Sequence, residues 1–72
     1  MNRVQVHAIV EPHVKAEVGH NAKWGPYREL TLDDVEKQTI AAQYMGEVHG
    51  EEDMSRFIVT EYKDGTHHFH WN

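Results

Sequence analysis

The sequence predicts an α+β fold: a small antiparallel sheet of about four strands, in the order ββαββ, with one helix packed on one face. Three patterns lead to this prediction. Apolar residues recur at every second position within residues 4–18. A helix-start signal and an apolar stripe occupy residues 31–45, and two alternating runs flank Asp64-Gly65. A helix with a single apolar stripe must bury it, and the apolar face of a sheet is a suitable partner.

The N-terminal segment has the pattern of extended chain. Val4, Val6 and Val10 are separated by polar residues, and the same parity continues to residue 18, which is typical of a half-buried strand. Pro12 interrupts the run, and proline cannot donate a hydrogen bond to a sheet ladder. Two interpretations stay open. The pattern favours a hairpin with a three-residue loop at residues 11–13, and the alternative is one long edge strand bent at Pro12.

Residues 19–26 have loop composition, with two glycines, an asparagine and a Gly-Pro step. Trp24 is the large apolar residue within this loop. It either folds back over the rim of the core or stands exposed as an anchor for a partner protein.

A helix is predicted over residues 31–45. Thr31 is a suitable N-cap, Asp34 completes a capping box three residues later, and Gly46 suits the C-terminal cap. The expected core stripe of this helix comprises Leu32, Val35, Thr39 and Ala42, widened by Ile40 and Tyr44.

Asp64-Gly65 between alternating runs predicts a C-terminal hairpin. A two-residue turn would pair Tyr62 with His67 and Ile58 with Trp71. Because side chains alternate between the two faces of a strand, this register assigns one face to the core and the other to solvent. The core face would carry Ile58, Tyr62, Phe69 and Trp71, and the polar face Val59, Glu61, His68 and His70. Phe57 would then be exposed on the histidine face.

Size and charge narrow the class of protein. Seventy-two residues predict a single domain spanning residues 1–72, and the absence of cysteine rules out disulfides and thiolate metal sites. The formal charge of −5 argues against direct nucleic-acid binding and favours a protein partner with a basic surface. The chain has no long apolar stretch and its first ten residues lack a signal-peptide core, so a cytoplasmic protein without a membrane partner is expected.

These features favour a small acidic, non-enzymatic protein-binding module without a cofactor. Clustered carboxylates can dock on a basic groove, and an apolar side chain can anchor the contact. A homodimer is a further expectation, because a second subunit would cover an exposed Phe57 and enlarge a small core. The candidate partner-binding residues are the acidic Asp33, Asp34, Glu36, Glu51, Glu52 and Asp53, and the apolar or aromatic Trp24, Phe57 and Tyr44.

Histidine chemistry offers two alternatives. The chain has seven histidines, and His68 and His70 share a strand face with Glu61 in the predicted register. Imidazole and carboxylate groups are ligands that zinc accepts, so a histidine-based metal-binding protein is the first alternative. The second is a small acid/base enzyme built around His49 or His67, although no nucleophile elbow or phosphate-binding loop supports catalysis. The sequence leaves open whether the histidines bind metal or respond to pH.

In size, acidity, lack of cysteine and a pattern of one helix on a sheet, the chain resembles the small inhibitors that phages make against host enzymes or CRISPR machinery. This resemblance implies an inhibitor of a basic, nucleic-acid-handling host or defence protein. It rests on overall character and not on a shared motif, so it assigns no functional residue.

Overall fold

The computed structural model describes all residues, Met1–Asn72. Helix α1 spans Arg3–Glu17, strand β1 spans Lys23–Glu29, and a single 3₁₀ turn spans Glu36–Gln38. Strands β2, β3 and β4 span Ile40–His49, Met54–Tyr62 and His67–Trp71. The four strands form one antiparallel sheet in the order β1-β2-β3-β4. The predicted α+β class is therefore confirmed, whereas the predicted order ββαββ is wrong: the helix comes first and four strands follow.

Residues 3–17 form a helix, not the predicted hairpin or bent strand. Val6, Val10 and Val14 are four residues apart and all buried, while Val4 is 75 % exposed. A spacing of four satisfies both the period of a strand and the period of a helix, so the alternation did not discriminate between them. The helix start is well defined: Asn2 Oδ1 accepts from the Gln5 N–H and Gln5 Oε1 accepts from the Asn2 N–H, both at 2.9 Å.

Pro12 lies inside α1, and its ring nitrogen has no hydrogen to give to the carbonyl of Ala8. Its side chain is exposed, and the residues on either side of it stay helical. Packing of the three buried valines against the sheet stabilises the helix, although Pro12 disfavours helical structure at this point.

The helix predicted over residues 31–45 is replaced by a loop, one 3₁₀ turn and strand β2. Capping does occur, but between Asp33 and Glu36, two positions after the predicted pair of Thr31 and Asp34. Beyond this turn the chain alternates: Ala42, Tyr44 and Val48 are buried, and the side chains between them are more exposed.

The C-terminal hairpin exists, but its register differs by one residue from the prediction. Tyr62 N–H donates to the Thr66 carbonyl at 2.9 Å, and Gly65 N–H donates to the Tyr62 carbonyl at 3.1 Å. The loop therefore has three residues, 63–65, and Gly65 takes the positive φ (+90°) that closes such a loop with a bulge. Asp64 accepts from the Thr66 N–H (2.9 Å) and hydroxyl (2.6 Å), which lowers the pKa of its carboxyl.

The new register pairs Phe57 with Trp71, Ile58 with His70 and Val59 with Phe69. Phe57 and Val59 thus face the helix and are buried, and Ile58 lies on the opposite face. The prediction that Ile58 and Tyr62 share the core face with Phe69 and Trp71 is wrong, as is the exposed position of Phe57.

The core lies between α1 and one face of the sheet. Its buried apolar side chains are Val6, Val10, Val14, Ala42, Tyr44, Val48, Phe57 and Val59. Phe69 and Trp71 extend it beneath the C-terminal half of α1, where the His13 ring stacks on Phe69 at 3.9 Å and Trp71 Nε1 donates to Glu17. No helix of this chain has the length and apolar character needed to cross a membrane.

Candidate binding surfaces

The acidic candidates lie at opposite ends of the molecule. Asp33, Asp34 and Glu36 belong to the β1–β2 connection, residues 30–39, which we call the acidic loop. Residues 51–53 belong to the β2–β3 connection, residues 50–53, which we call the acidic turn. The ten-residue strand β2 separates the two by roughly 30 Å in a molecule whose longest dimension is 39 Å. The structure therefore does not bring the six carboxylates together into one docking patch.

The acidic loop has a defined shape. Asp33 Oδ1 accepts from the Glu36 N–H at 2.8 Å, and Glu36 Oε1 accepts from the Asp33 N–H at 3.0 Å. Hydrogen bonds at each end of the loop, Leu30 N–H to Gln43 and Lys63 N–H to the Thr39 carbonyl, join it to the sheet. These contacts order the loop before any partner binds.

Apolar surface accompanies the charge on the acidic loop. Val35 is 73 % exposed and lies between Asp34 and Glu36. An open depression of about 500 Å³ at the same end of the sheet is lined by the apolar Leu30, Leu32, Ile40 and Ala41 and by the polar Glu29, Thr31, Lys37 and Lys63. The loop thus offers carboxylates and apolar contacts at the same end of the sheet.

The acidic turn is shorter and offers less apolar surface. It is closed by one hydrogen bond, from the Gly50 N–H to the Asp53 carbonyl at 2.8 Å. Glu51, Glu52 and Asp53 are all exposed, and Met54, which is 44 % exposed, is the adjacent apolar residue.

Of the three predicted apolar anchors, only Trp24 is on the surface. It is 36 % exposed, its ring lies 4.1 Å from the His7 ring, and it meets Phe57 edge-on at 6.3 Å. Phe57 is 2 % exposed and Tyr44 5 %, so both are core residues and neither is available as an anchor.

The Tyr44 hydroxyl is held inside the structure. It donates to the Met1 carbonyl at 3.0 Å and accepts from the Met1 amino group at 2.8 Å. Burial raises the pKa of the Tyr44 phenol, and the carboxylates of Glu29 and Glu61 raise it further.

The predicted metal ligands are divided between the two faces of the sheet. His68 and His70 lie on the face away from α1, with ring centroids 5.6 Å apart. Glu61 is on the helix face, where its carboxylate accepts from the Met1 amino group at 3.2 Å. The one-residue change in register accounts for the separation, and no cluster of three or more potential metal ligands occurs in one chain.

The sheet face away from α1 is only partly shielded from solvent. A cross-strand row of Arg28, Met45, Ile58 and His70 runs across all four strands. Thr60, the only buried polar residue, lies beside this row and accepts from the Gln43 side chain at 3.0 Å. The alternation of side chains within β2 could have revealed this face from the sequence. It was missed because residues 31–45 were predicted to form a helix.

The two histidines considered for acid/base chemistry are also far apart. His49 lies at the end of β2 near the acidic turn, with Nε2 3.5 Å from a Glu47 carboxylate oxygen. His67 begins β4 and pairs with Glu61 near the other end of the sheet.

Comparison with known proteins finds no matching family model, no matching curated protein and no matching solved structure.

Proposed function

We propose that this protein is a small acidic, non-enzymatic protein-binding module that docks through its acidic loop on a protein with a basic surface. A nucleic-acid-handling host or defence protein, inhibited by occupation of its basic groove, is the partner class that fits the charge. The proposal is supported mainly by one observation: carboxylates and exposed apolar surface occur together on an ordered loop.

Each part of the acidic loop has a role in such a contact. The carboxylates attract a basic surface at a distance and select against acidic ones. Val35 and the apolar residues that line the depression supply the desolvated contact that charge alone does not provide. The reciprocal hydrogen bonds of Asp33 and Glu36 reduce the entropy lost on docking, because the loop is already ordered.

Asp34 and Val35 are the best residues for testing this role. The Asp34 carboxylate takes part in no side-chain hydrogen bond or ion pair of the structure, and neither side chain is buried. Substitutions here change the docking surface without removing the hydrogen bonds that shape the loop. Glu52 in the acidic turn is also an exposed acid and provides a charge-matched control.

The experiment compares immobilised wild-type protein with the Asp34→Lys, Val35→Ala and Glu52→Lys variants as baits for lysate of the source organism. We expect wild type and Glu52→Lys to retain the same basic protein, and Asp34→Lys to lose it. With that protein purified, Asp34→Lys should lower the association rate and weaken its dependence on salt, and Val35→Ala should mainly raise the dissociation rate. Equal capture by wild type and Asp34→Lys would remove the acidic loop from the interface. Loss with Glu52→Lys alone would assign docking to the acidic turn.

A further inference from the structure

Strand β4 has a free edge. It is the last strand of the sheet and pairs only with β3. Asn72 N–H donates to Arg56 and Tyr62 N–H donates to Thr66, so residues 66, 68, 70 and 72 use their backbone groups within the hairpin. Antiparallel ladders alternate, so the N–H and C=O groups of His67, Phe69 and Trp71 point away from β3.

This edge lacks the features that usually prevent pairing between chains. Residues 67–71 contain no lysine, proline or bulge, and all five are aromatic residues or histidines. The opposite edge, β1, differs: it carries Pro26 and an irregularity in register between Trp24 and Tyr27. Proteins commonly protect exposed edges by such devices, so an unprotected β4 suggests that it pairs with another strand.

Two copies of β4 can pair around a two-fold axis perpendicular to the sheet. With the outward groups of Phe69 facing those of Phe69 in the second copy, residues 67 and 71 pair across the axis. Residue 68 of each copy is then directly opposite residue 70 of the other. Opposite residues of an antiparallel pair lie on the same face, so four histidines meet on the face away from the helices.

The spacing of the two histidines in one chain suits a shared zinc ion. With Zn–N bonds of about 2.0–2.1 Å and tetrahedral angles, two imidazole rings on one zinc ion have centroids roughly 5 Å apart. The centroids of His68 and His70 are 5.6 Å apart, and both side chains are exposed on the same strand face. The separation of the two rings in one chain is therefore close to the one that half of a tetrahedral set requires.

We propose that two copies of this protein pair along β4 and bind one zinc ion through His68 and His70 of each copy. The site is incomplete in a single chain, where no group of three potential ligands occurs. Zinc binding and edge pairing stabilise each other, because zinc prefers four protein ligands and the metal holds together a pair of short strands. This inference is independent of docking through the acidic loop.

Zinc titration of protein purified without a metal-affinity column tests the proposal. Mass is measured by light scattering during size exclusion, and metal content by elemental analysis. We expect half a zinc ion per chain, a change from the 8.4 kDa monomer to twice that mass, and reversal by a chelator. Cobalt(II) in place of zinc should give the absorption spectrum of a tetrahedral site.

Three variants distinguish the contribution of the zinc ligands to dimerisation from the contribution of backbone pairing along β4. His68→Asn with His70→Asn removes the ligands and should leave the protein monomeric in zinc. His67→Asn changes a histidine on the other face of the same strand and should dimerise as wild type does. His67→Pro keeps all four ligands but removes an outward N–H at the first residue of the strand, where proline is tolerated. It should weaken zinc-dependent dimerisation at least tenfold.

Several results would overturn the proposal. They are a wild-type protein that stays monomeric with excess zinc, binding of one zinc per chain without a change in mass, and undiminished dimerisation of the double histidine variant. Dimerisation of His67→Pro equal to that of His67→Asn would also overturn it, because the edges would not then be paired. Circular dichroism of each variant checks that the fold is retained.

Discussion

Replacement of Gly46 by alanine should destabilise the protein strongly, because the ring of Phe57 occupies the space that a Cβ would need. A Cβ built at Gly46 lies 2.4 Å and 2.7 Å from two ring carbons of Phe57 and 2.9 Å from the Cβ of Tyr27. Carbon atoms in contact are normally about 3.5–4.0 Å apart, so the overlap exceeds 1 Å. Phe57 is 2 % exposed, and the ring cannot move aside without disturbing the core.

The size of the effect follows from two limits. Overpacking a well-filled core costs about 1–3 kcal/mol, and complete loss of a buried phenylalanine contact costs about 3–5 kcal/mol. Alanine gains back about 0.4–1 kcal/mol because it restricts the unfolded chain more than glycine does. A loss of about 2–4 kcal/mol is therefore expected, a large part of the total stability of a domain of this size.

Urea denaturation followed by circular dichroism measures this loss, with Gly25→Ala as the matched control. A Cβ at Gly25 lies 3.3 Å from the Cβ of the half-exposed Glu47, so that variant should change stability by less than about 1 kcal/mol. In the Gly46→Ala background, Phe57→Leu should cost less than it does alone, because the smaller side chain relieves the overlap. If Gly46→Ala changed stability by less than about 0.5 kcal/mol, Phe57 would not lie over Gly46, and the assignment of β3 faces would be refuted.

Three further substitutions test other parts of the structure. Val10→Ala should lower the free energy of unfolding by about 2 kcal/mol in urea denaturation while Val4→Ala leaves it nearly unchanged, because Val10 is buried and Val4 is exposed. Similar losses for the two variants would restore the strand interpretation. The pKa of Tyr44 is raised in the folded protein, so its contribution to stability is complete below pH about 10 and is lost as the pH rises above that. The melting temperature of Tyr44→Phe should therefore fall less at alkaline pH than that of wild type. An equal fall in both proteins would contradict this. Asp64→Ala should lower the melting temperature at pH 7 by removing the acceptor for Thr66. Because the carboxyl pKa is lowered on folding, the difference from wild type should shrink as pH falls below about 4, and a difference independent of pH would contradict the role of the carboxylate.

The N-terminal error shows how one apolar pattern satisfies two periods. Val6, Val10 and Val14 are spaced by four, which is a multiple of two and also close to one helical turn. The discriminating signal was the capping box of Asn2 and Gln5, in which both reciprocal hydrogen bonds form. Pro12 argued for a break in the helix, and packing of the valines on the sheet overrides that local preference.

The error in the central segment arose because a helix-start signal is followed here by a short turn and strand β2, not by a helix. Acids in the acidic loop do cap a turn, so the local chemistry was predictable to within two residues. The length of the turn was not, because the alternation of Ala42, Tyr44 and Val48 becomes meaningful only when β1 and β3 lie on either side. An exposed Val35 was therefore assigned to a core stripe.

The hairpin was predictable in kind, but its register and the histidine site were not. Asp64-Gly65 suits a two-residue loop and also the last two positions of a three-residue loop with glycine at positive φ. The neighbouring residues favour the longer loop, because it gathers Phe57, Val59, Phe69 and Trp71 on one face. His68 and His70 share a face in either register, but the observed register puts Val59 and Glu61 on the core face with Phe69 and Trp71, away from the two histidines.

The register of the C-terminal hairpin is the central claim, because both the core and the histidine face depend on it, and two-dimensional NMR measures it directly. In an antiparallel pair without mutual hydrogen bonds the Cα atoms are about 4.5 Å apart, and the two Hα protons give a strong nuclear Overhauser effect. The structure makes Val59 and Phe69 such a pair, as it does Phe57 and Trp71, so strong Hα–Hα cross-peaks are expected for both. A strong Hα–Hα cross-peak joining Ile58 to Trp71, or Thr60 to Phe69, would contradict the register and remove the basis of the zinc-binding edge.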